Sequence, residues 1–127
     1  MPENQKKILL IEDDEDLREL YRTILIEAGF LLDEAADGKE GISKVTSPEK
    51  YDLVLLDIML PKFDGLEVLR TMKRSRDLAN VPVIMLTNLG QDSIIKEAFS
   101  LGADGYLIKS EYDPGQLLQE VQTFLSK

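Results

Sequence analysis

Polar, chemically competent side chains follow four of the five short apolar runs in this sequence. In chain order these groups are Glu12-Asp13-Asp14, Asp57, Thr87 and Lys109. The second run is the exception, because it ends in Ala35-Ala36. If the runs are neighbouring parallel strands about 4.8 Å apart, their carboxyl ends meet at one edge of a sheet. Carboxylates, a hydroxyl and an ammonium would then face one another there.

The residue types that are absent restrict this chemistry. The chain has no His and no Cys, which excludes imidazole and thiolate metal ligands, His bases and Cys nucleophiles. If the first and third strands are neighbours, Glu12, Asp13 and Asp57 converge, and three carboxylates require a cation. Oxygen ligands alone suit a hard cation, with Mg²⁺ as the first choice.

Asp57 is the candidate nucleophile among these carboxylates. Mg²⁺ usually takes one or two carboxylates, which leaves one of the three free to react. Asp57 follows a fully apolar run and is therefore central and fixed, and an Asp can form an aspartyl-phosphate. Lys109 and Thr87 would then bind phosphoryl oxygens, because phosphoryl transfer depends on positioning and charge neutralisation.

Each of these residues also has an ordinary structural interpretation. Asp13 or Asp14 could cap a helix, and Thr87 could be a cap or turn residue. A single Lys109 is usually a solvated lysine, and Tyr106 a half-buried strand residue. The joint pattern favours chemistry, because four of five strand ends supply the parts of one reaction.

The apolar runs predict an α/β fold with five βα units. The runs start about 22 to 30 residues apart, which is the length of a βα unit. They are 8–11, 30–32, 53–56, 81–86 and 105–108. The runs at 8 and 53 are apolar at odd and even positions alike, as in strands buried on both faces of a parallel sheet. The run at 30 predicts an edge strand. We therefore expect an open, doubly wound, five-stranded parallel sheet of the (βα)5 type.

Helical periodicity returns between the runs. The apolar stripes contain Leu17–Leu25, Leu66–Met72, Ile94–Leu101 and Leu117–Leu125, with a weaker helix opening at Asp37. Gly29 and Gly102 are the expected stops of the first and fourth helices. Asp37, with Glu40 three residues on, predicts a capped start of the second helix.

Length and charge limit the function classes. The 127 residues, of 14.3 kDa, predict one domain over 1–127. The net charge of −9 argues against direct nucleic-acid binding, which relies on cationic patches. No stretch has the pattern of a signal peptide or membrane span, so we expect no membrane association and a cytoplasmic location.

The motifs, taken together, resemble those of the receiver domain of bacterial two-component response regulators. The resemblance covers about residues 6–126, through segments 7–15 (KILLIEDDE), 51–61 (YDLVLLDIMLP), 64–65 (DG), 83–87 (VIMLT) and 102–109 (GADGYLIK). It implies a flavodoxin-like sheet with strand order 2-1-3-4-5 and five helices on two faces. It also implies a single receiver domain, and since the sequence ends about where the fifth helix ends, no output domain is expected in it.

The resemblance implies a metal site and a phosphoacceptor. Asp57 would accept a phosphoryl group from the phosphohistidine of a histidine kinase. Asp13 and Asp57 would bind Mg²⁺ directly, together with the backbone carbonyl of Met59. Glu12, the first member of the acidic pair, would act through water.

A switch is implied by the same resemblance. Thr87 would bond the phosphoryl group and Lys109 would contact one of its oxygens, while the rotamer of Tyr106 would be coupled to Thr87. Phosphorylation adds negative charge and acceptor oxygens, which shifts the population of a two-state surface. The surface would be the fourth helix, fifth strand and fifth helix. Partners would be a histidine kinase or phosphotransfer protein and an unknown downstream protein, with the domain a monomer or a phosphorylation-dependent dimer.

Departures from the family pattern concern the surroundings of the acceptor. Asn88 stands where small residues are common and would narrow access, and Ser110 stands where Pro is frequent. Met59 and Leu89 are both apolar at positions that flank the acyl phosphate. Because neither side chain can orient an attacking water, we expect slow self-dephosphorylation.

Three other functions fit parts of the pattern. A Mg²⁺-dependent phosphatase with an aspartyl nucleophile would place a second Asp two residues after it, where this chain has Met59. A flavodoxin-like module for a small ligand would need a phosphate-cradling loop, but Glu12-Asp13-Asp14 would repel phosphate unless a metal intervened. A degenerate receiver that is never phosphorylated is opposed by the filled key positions. We therefore expect a signalling switch and not an enzyme, with only self-phosphorylation from a donor and self-dephosphorylation.

Overall fold

Five strands alternate with five helices along the chain, as the sequence predicts. The structure is a computed structural model that describes residues 5–60, 64–88, 92–111 and 113–126. The elements are β1 (Lys7–Ile11), α1 (Glu15–Glu27), β2 (Leu31–Ala35), α2 (Gly38–Val45), β3 (Leu53–Asp57), α3 (Gly65–Arg74), β4 (Val83–Thr87), α4 (Asp92–Ser100), β5 (Gly105–Ile108) and α5 (Pro114–Leu125). No helix of the described residues is long and apolar enough to cross a membrane.

The strands form one parallel sheet in the order β2-β1-β3-β4-β5. The chain runs from β1 to the edge strand β2 and then returns to β3 on the other side of β1. The strand order therefore reverses between β1 and β3, and ligands of open α/β sheets bind outside the carboxyl ends at such a point. This order confirms the predicted doubly wound fold and makes the ends of β1 and β3 neighbours.

Two hydrophobic cores cover the two faces of the sheet. One contains residues of α2, α3 and α4, including Val45, Leu69 and Ala98. The other contains residues of α1 and α5, including Leu25 and Val121. Every residue of β3 and β4 is buried, which explains why the run at 53 is apolar at odd and even positions alike. The ends of these strands are thereby anchored in a sheet that is packed on both faces.

Two strands have bounds that differ from the apolar runs. Strand β2 begins at Leu31 because the Phe30 N–H donates to Leu25 O at 3.1 Å and so belongs to the end of α1. Strand β4 begins at Val83 because the Val81 N–H donates to Leu78 O at 3.0 Å, within the preceding turn. Hydrogen bonding, not hydropathy, sets these ends.

The predicted helix signals at α1, α2 and α4 are confirmed. Asp14 is the N-cap of α1 and accepts hydrogen bonds from the backbone of Asp16 and Leu17. Asp37 caps α2 in the same way. Gly29 and Gly102 follow α1 and α4 with φ of 97° and 109°, a conformation that favours glycine. The cap at Asp14 makes α1 start directly behind the end of β1.

Candidate functional site

Three carboxylates converge where β1 and β3 end. Carboxylate oxygens of Glu12, Asp13 and Asp57 lie within 4.8 Å of one another. Glu12 and Asp57 are buried, whereas Asp13 is exposed. The register pairs Ile11 with Leu56, so the residues that follow are brought side by side. The predicted convergence of these three residues is confirmed.

Lys109 is the cation of this cluster. Its Nζ lies 2.7 Å from Asp57 Oδ2 and 2.8 Å from Glu12 Oε1, and its side chain is mostly buried. The lysine follows β5, beyond β4, and spans that strand to reach β3. Three carboxylates against one ammonium leave a formal charge of −2, which a divalent cation would balance. All the donors are oxygens, the ligands that Mg²⁺ prefers, so the residues fit this ion.

Burial controls the ionisation of the cluster. Burial raises the pKa of Asp57 to about 7 from its ordinary value of 3.8, against the opposing effect of the Lys109 hydrogen bond. Burial alone lowers the pKa of Lys109, but its hydrogen bonds to Asp57 and Glu12 outweigh this and raise it. The ammonium therefore stays charged, while burial makes ionisation of the Asp57 carboxyl less favourable than that of an exposed aspartate.

The backbone around Asp57 is held by two hydrogen bonds and by close contact with the start of α3. The Met59 N–H donates to Asp57 Oδ1 at 3.1 Å, and the Gly65 N–H donates to Ile58 O at 2.9 Å. A Cβ at Gly65 would lie 2.2 Å from Asp57 O, which is an impossible contact. Glycine is therefore required for α3 to start against the end of β3.

Thr87 ends β4 with a buried hydroxyl. It is 1% exposed, and its Oγ1 has no hydrogen-bond partner among the described residues. Such an atom is rare, because an unpaired buried polar group costs about 1–3 kcal/mol. Thr87 lies beside the end of β3, so its hydroxyl could donate to an acceptor bound there.

Tyr106 lies on β5 and is 43% exposed. Its ring stands edge-to-face with Phe99 of α4 at 5.9 Å between centroids. Exposed aromatic rings on adjacent elements make an accessible apolar patch on this side of the domain.

A cleft of about 430 Å³ opens over the carboxylates. It is lined by Glu12, Asp13, Asp14, Leu17, Asp57, Met59, Asn88, Lys109 and Ser110. A larger cleft of about 580 Å³ lies elsewhere, next to Tyr51, and none of the strand-end groups lines it. Leu89, the second apolar flanking residue of the sequence analysis, is outside the described residues. The Lys109–Ser110 peptide bond is trans.

Two residues support the site in ways that the sequence pattern does not reveal. Gly65 stands in a motif, but its role becomes visible only from the close approach to Asp57 O. Arg18 belongs to no motif, although its Nη1 donates to Glu12 O at 2.8 Å. The available signal was a cation four residues after the helix N-cap Asp14, where it could reach back to the end of β1.

Residues 8–122 match the response regulator receiver domain family. The chain is a member of this family. As a receiver domain, it serves phosphorylation-dependent two-component signalling. The CpxR homolog of Haemophilus influenzae, named a transcriptional regulatory protein, is 40% identical over 121 residues, which are 95% of this chain and 51% of the relative. The chain spans about half the length of the curated relatives it matches.

Solved receiver structures share the fold. The chemotaxis response regulator CheY4 of Vibrio cholerae superposes with a TM-score of 0.88 at 26% identity, over 95% of this receiver domain and 99% of CheY4. The phosphorylated cyanobacterial phytochrome response regulator RcpA gives a TM-score of 0.81 at 30% identity, over 94% of this domain and 90% of RcpA. These likenesses confirm the predicted fold and family.

Proposed function

We propose that this receiver domain accepts a phosphoryl group on Asp57 from the phosphohistidine of a histidine kinase or phosphotransfer protein. The observation that carries the proposal is one buried carboxylate, 3% exposed, bonded to Lys109 and within metal-binding distance of two further acids. An Asp57 oxygen forms the new O–P bond, the P–N bond of the donor breaks, and the imidazole leaves with its electron pair and takes up a proton. The product is an acyl phosphate.

The acidic cluster supplies the metal site of this reaction. Asp13 and Asp57 would bind Mg²⁺ directly with the Met59 carbonyl, and Glu12 would act through water. When bound, the ion neutralises charge on the carboxylates and on the transferring phosphoryl oxygens. Lys109 donates a hydrogen bond to Asp57 and would donate to a phosphoryl oxygen once Asp57 is phosphorylated.

Thr87 and Tyr106 form the proposed readout. A phosphoryl oxygen would accept the hydrogen bond that Thr87 Oγ1 does not make within the described part of the chain. Movement of Thr87 toward Asp57 would free space at the end of β4, beside β5, and let the exposed Tyr106 ring turn inward. The patch formed with Phe99 would then change, and a downstream protein would read the α4-β5-α5 face.

The proposed chemistry stops at one transfer. A phosphatase that uses an aspartyl nucleophile needs an acid two residues on, and Met59 offers a thioether that cannot donate or accept a proton there. We therefore expect a switch that is phosphorylated once and slowly loses the group, not a turnover enzyme.

The test is the intact mass of the domain after incubation with phosphoramidate or acetyl phosphate. Phosphoramidate contains a P–N bond, as phosphohistidine does. We expect the wild type to gain one phosphoryl group only with Mg²⁺, and Asp57→Asn to gain none. Asp16→Asn, which removes an exposed carboxylate of α1, is the matched control and should react like the wild type. A wild type that gains nothing from either donor, or an Asp57→Asn that gains as much, would contradict the proposal.

A further inference from the structure

The edge strand β2 holds the main-chain amide and carbonyl of Glu12. The Glu12 N–H donates to Ala35 O at 3.0 Å. The Glu12 carbonyl accepts from Arg18 Nη1 at 2.8 Å, and Arg18 Nε lies 3.2 Å from Glu34 Oε1. Glu34 and Ala35 are the last two residues of β2. The main chain next to the acidic cluster is thus tied to β2 directly on one side and through Arg18 on the other.

The start of α1 places Arg18 for this contact. Asp14 caps the helix, and the Arg18 N–H donates to Asp14 O at 2.9 Å, which makes Arg18 part of the first turn. Helical side chains point back toward the N-terminus, so the guanidinium reaches over the end of β1. The Arg18 side chain is 18% exposed, which shields its contacts from water.

We propose that Arg18 is a positioning residue for the phosphorylation site, with Glu34 as its anchor. Arg18 fixes the Glu12 peptide so that Oε1 meets Lys109 Nζ at 2.8 Å and Oε2 accepts from the Asp14 N–H at 3.0 Å. Each carboxylate oxygen of Glu12 then has a fixed contact within the cluster. This inference rests on the proposed function, because it assigns Arg18 to the same Mg²⁺ site.

The guanidinium is suited to this place because its N–H groups point in two directions from one plane. Nη1 reaches the carbonyl while Nε reaches the carboxylate of Glu34. A lysine carries one nitrogen on a flexible stem and cannot hold both partners in the same fixed geometry. Arg18→Lys therefore keeps the charge and most of the stem but loosens the peptide.

Arg22 provides a matched control on the same helix. Its Nε lies 2.8 Å from Glu34 Oε2, one turn beyond Arg18. The described residues show no hydrogen bond or ion pair between Arg22 and Glu12. Arg22→Met and Arg18→Met each remove one positive charge and one ion pair with Glu34, but only Arg18→Met releases the Glu12 carbonyl.

Charge alone predicts the opposite effect from positioning. Removing a cation near an acidic cluster reduces repulsion of Mg²⁺ and should tighten its binding. Loss of a residue that orients a metal-binding group weakens metal binding, by roughly tenfold or more. The direction of the change in Mg²⁺ affinity therefore separates the two explanations.

The experiment is calorimetric titration of the four proteins with Mg²⁺ alone, beside thermal unfolding of each. We expect Arg18→Met to bind Mg²⁺ about tenfold more weakly than the wild type, and Arg18→Lys to lie between them. Arg22→Met should bind as tightly as the wild type or more tightly. If Arg18→Met does not fold, Arg18→Lys with a wild-type melting temperature gives the same comparison.

Two outcomes overturn the inference in different ways. A wild type that binds Mg²⁺ and is phosphorylated, with Arg18 variants that bind as tightly as Arg22→Met, overturns the positioning role alone. A wild type that neither binds Mg²⁺ nor gains a phosphoryl group overturns the proposed function, and the role of Arg18 with it.

Discussion

At the scale of single residues, the site is a set of side chains that are unfavourable without a ligand. Asp57 and Glu12 are buried carboxylates that share one ammonium, and Thr87 buries a hydroxyl without a partner among the described residues. Each of these arrangements costs free energy in the unmodified protein. A cation would offset the charge of the buried carboxylates, and a phosphoryl group would accept the hydrogen bond of the Thr87 hydroxyl. Binding of these groups is therefore coupled to local stability.

Removal of the Asp57 charge should stabilise the metal-free domain. The raised pKa of Asp57, about 7, means that the folded state holds this proton more tightly than the unfolded state. Its stabilising contribution is complete below the unfolded pKa, about 4, and is lost as the pH rises through about 7. In EDTA at pH 8, Asp57→Asn should therefore be more stable than the wild type by on the order of 2–4 kcal/mol.

The measurement is urea unfolding by circular dichroism at pH 8 and at pH 5. The advantage of Asp57→Asn should shrink at pH 5, where Asp57 of the wild type is already protonated when folded. Asp16→Asn controls for loss of one carboxylate from a chain of net charge −9. An advantage of Asp57→Asn that is equal at both pH values would show that charge burial is not its cause.

Met59 should make the phosphorylated state long-lived. Its side chain is 53% exposed at the rim of the cleft and has no group that can orient a water molecule. We expect that Met59→Asn combined with Leu89→Glu shortens the lifetime of phospho-Asp57, followed by intact mass after removal of the donor. A wild-type lifetime no longer than that of the double variant would refute slow self-dephosphorylation.

At the scale of elements, the contact between the start of α3 and the end of β3 is the tightest constraint near the site. Asp64 caps α3, and Gly65 places the first turn against the Asp57–Ile58 peptide. The Cα of Ile58 would lie 2.8 Å from a Cβ at Gly65, so backbone on two elements would have to separate. The position of the main chain at Asp57 and Ile58 therefore depends on a residue that carries no chemistry.

Gly65→Ala should damage both stability and phosphorylation. Overpacking against backbone costs about 1–3 kcal/mol or more, and the required shift displaces Asp57 from Lys109. Gly115→Ala is the matched control, because its Cβ would meet only Asp113 Oδ1 at 3.4 Å, and Ala favours helices over Gly by roughly 1 kcal/mol. The free energy of unfolding measured with urea and the rate of phosphoryl gain should both fall for Gly65→Ala, and neither should fall for Gly115→Ala. Equal values for the two variants would contradict this role of Gly65.

At the scale of the whole molecule, the two cores enclose both faces of the sheet whose strand ends carry the site. Strands β1, β3 and β4 are clamped between α1 and α5 on one face and α2, α3 and α4 on the other. A cation bound between the ends of β1 and β3 would therefore stabilise the entire fold, not only its loops.

Mg²⁺ should raise the melting temperature of the wild type in a saturable manner. At a concentration ten times the dissociation constant, the gain is about 1.4 kcal/mol, or roughly 5 °C for a domain of this size. Asp13→Asn removes an exposed carboxylate of the proposed metal site with little effect on the core, so the melting temperature of this variant should respond much less to Mg²⁺. NaCl at equal ionic strength separates site binding from general screening; an equal rise with NaCl would contradict a specific site.

The order of the elements and the groups at the strand ends were predictable because they depend on local pattern. Short continuous apolar runs, period-3.6 hydropathy between them, glycine at positive φ after α1 and α4, and an N-cap at Asp14 are properties of neighbouring residues. The five motif segments, taken together and in their order, were sufficient to predict the family. Strand limits at Phe30 and Val81 were less well predicted, since hydrogen bonds to the preceding turn set them.

The tertiary structure alone decided how those groups interact. The sheet order brings Lys109 across β4 to Asp57, and burial raises the pKa of that carboxyl. The link from Glu12 through Arg18 to Glu34 joins three elements, and the space that forbids a side chain at Gly65 exists only when α3 meets β3. Desolvation and close approach depend on residues that are distant in sequence, so no local pattern contains them.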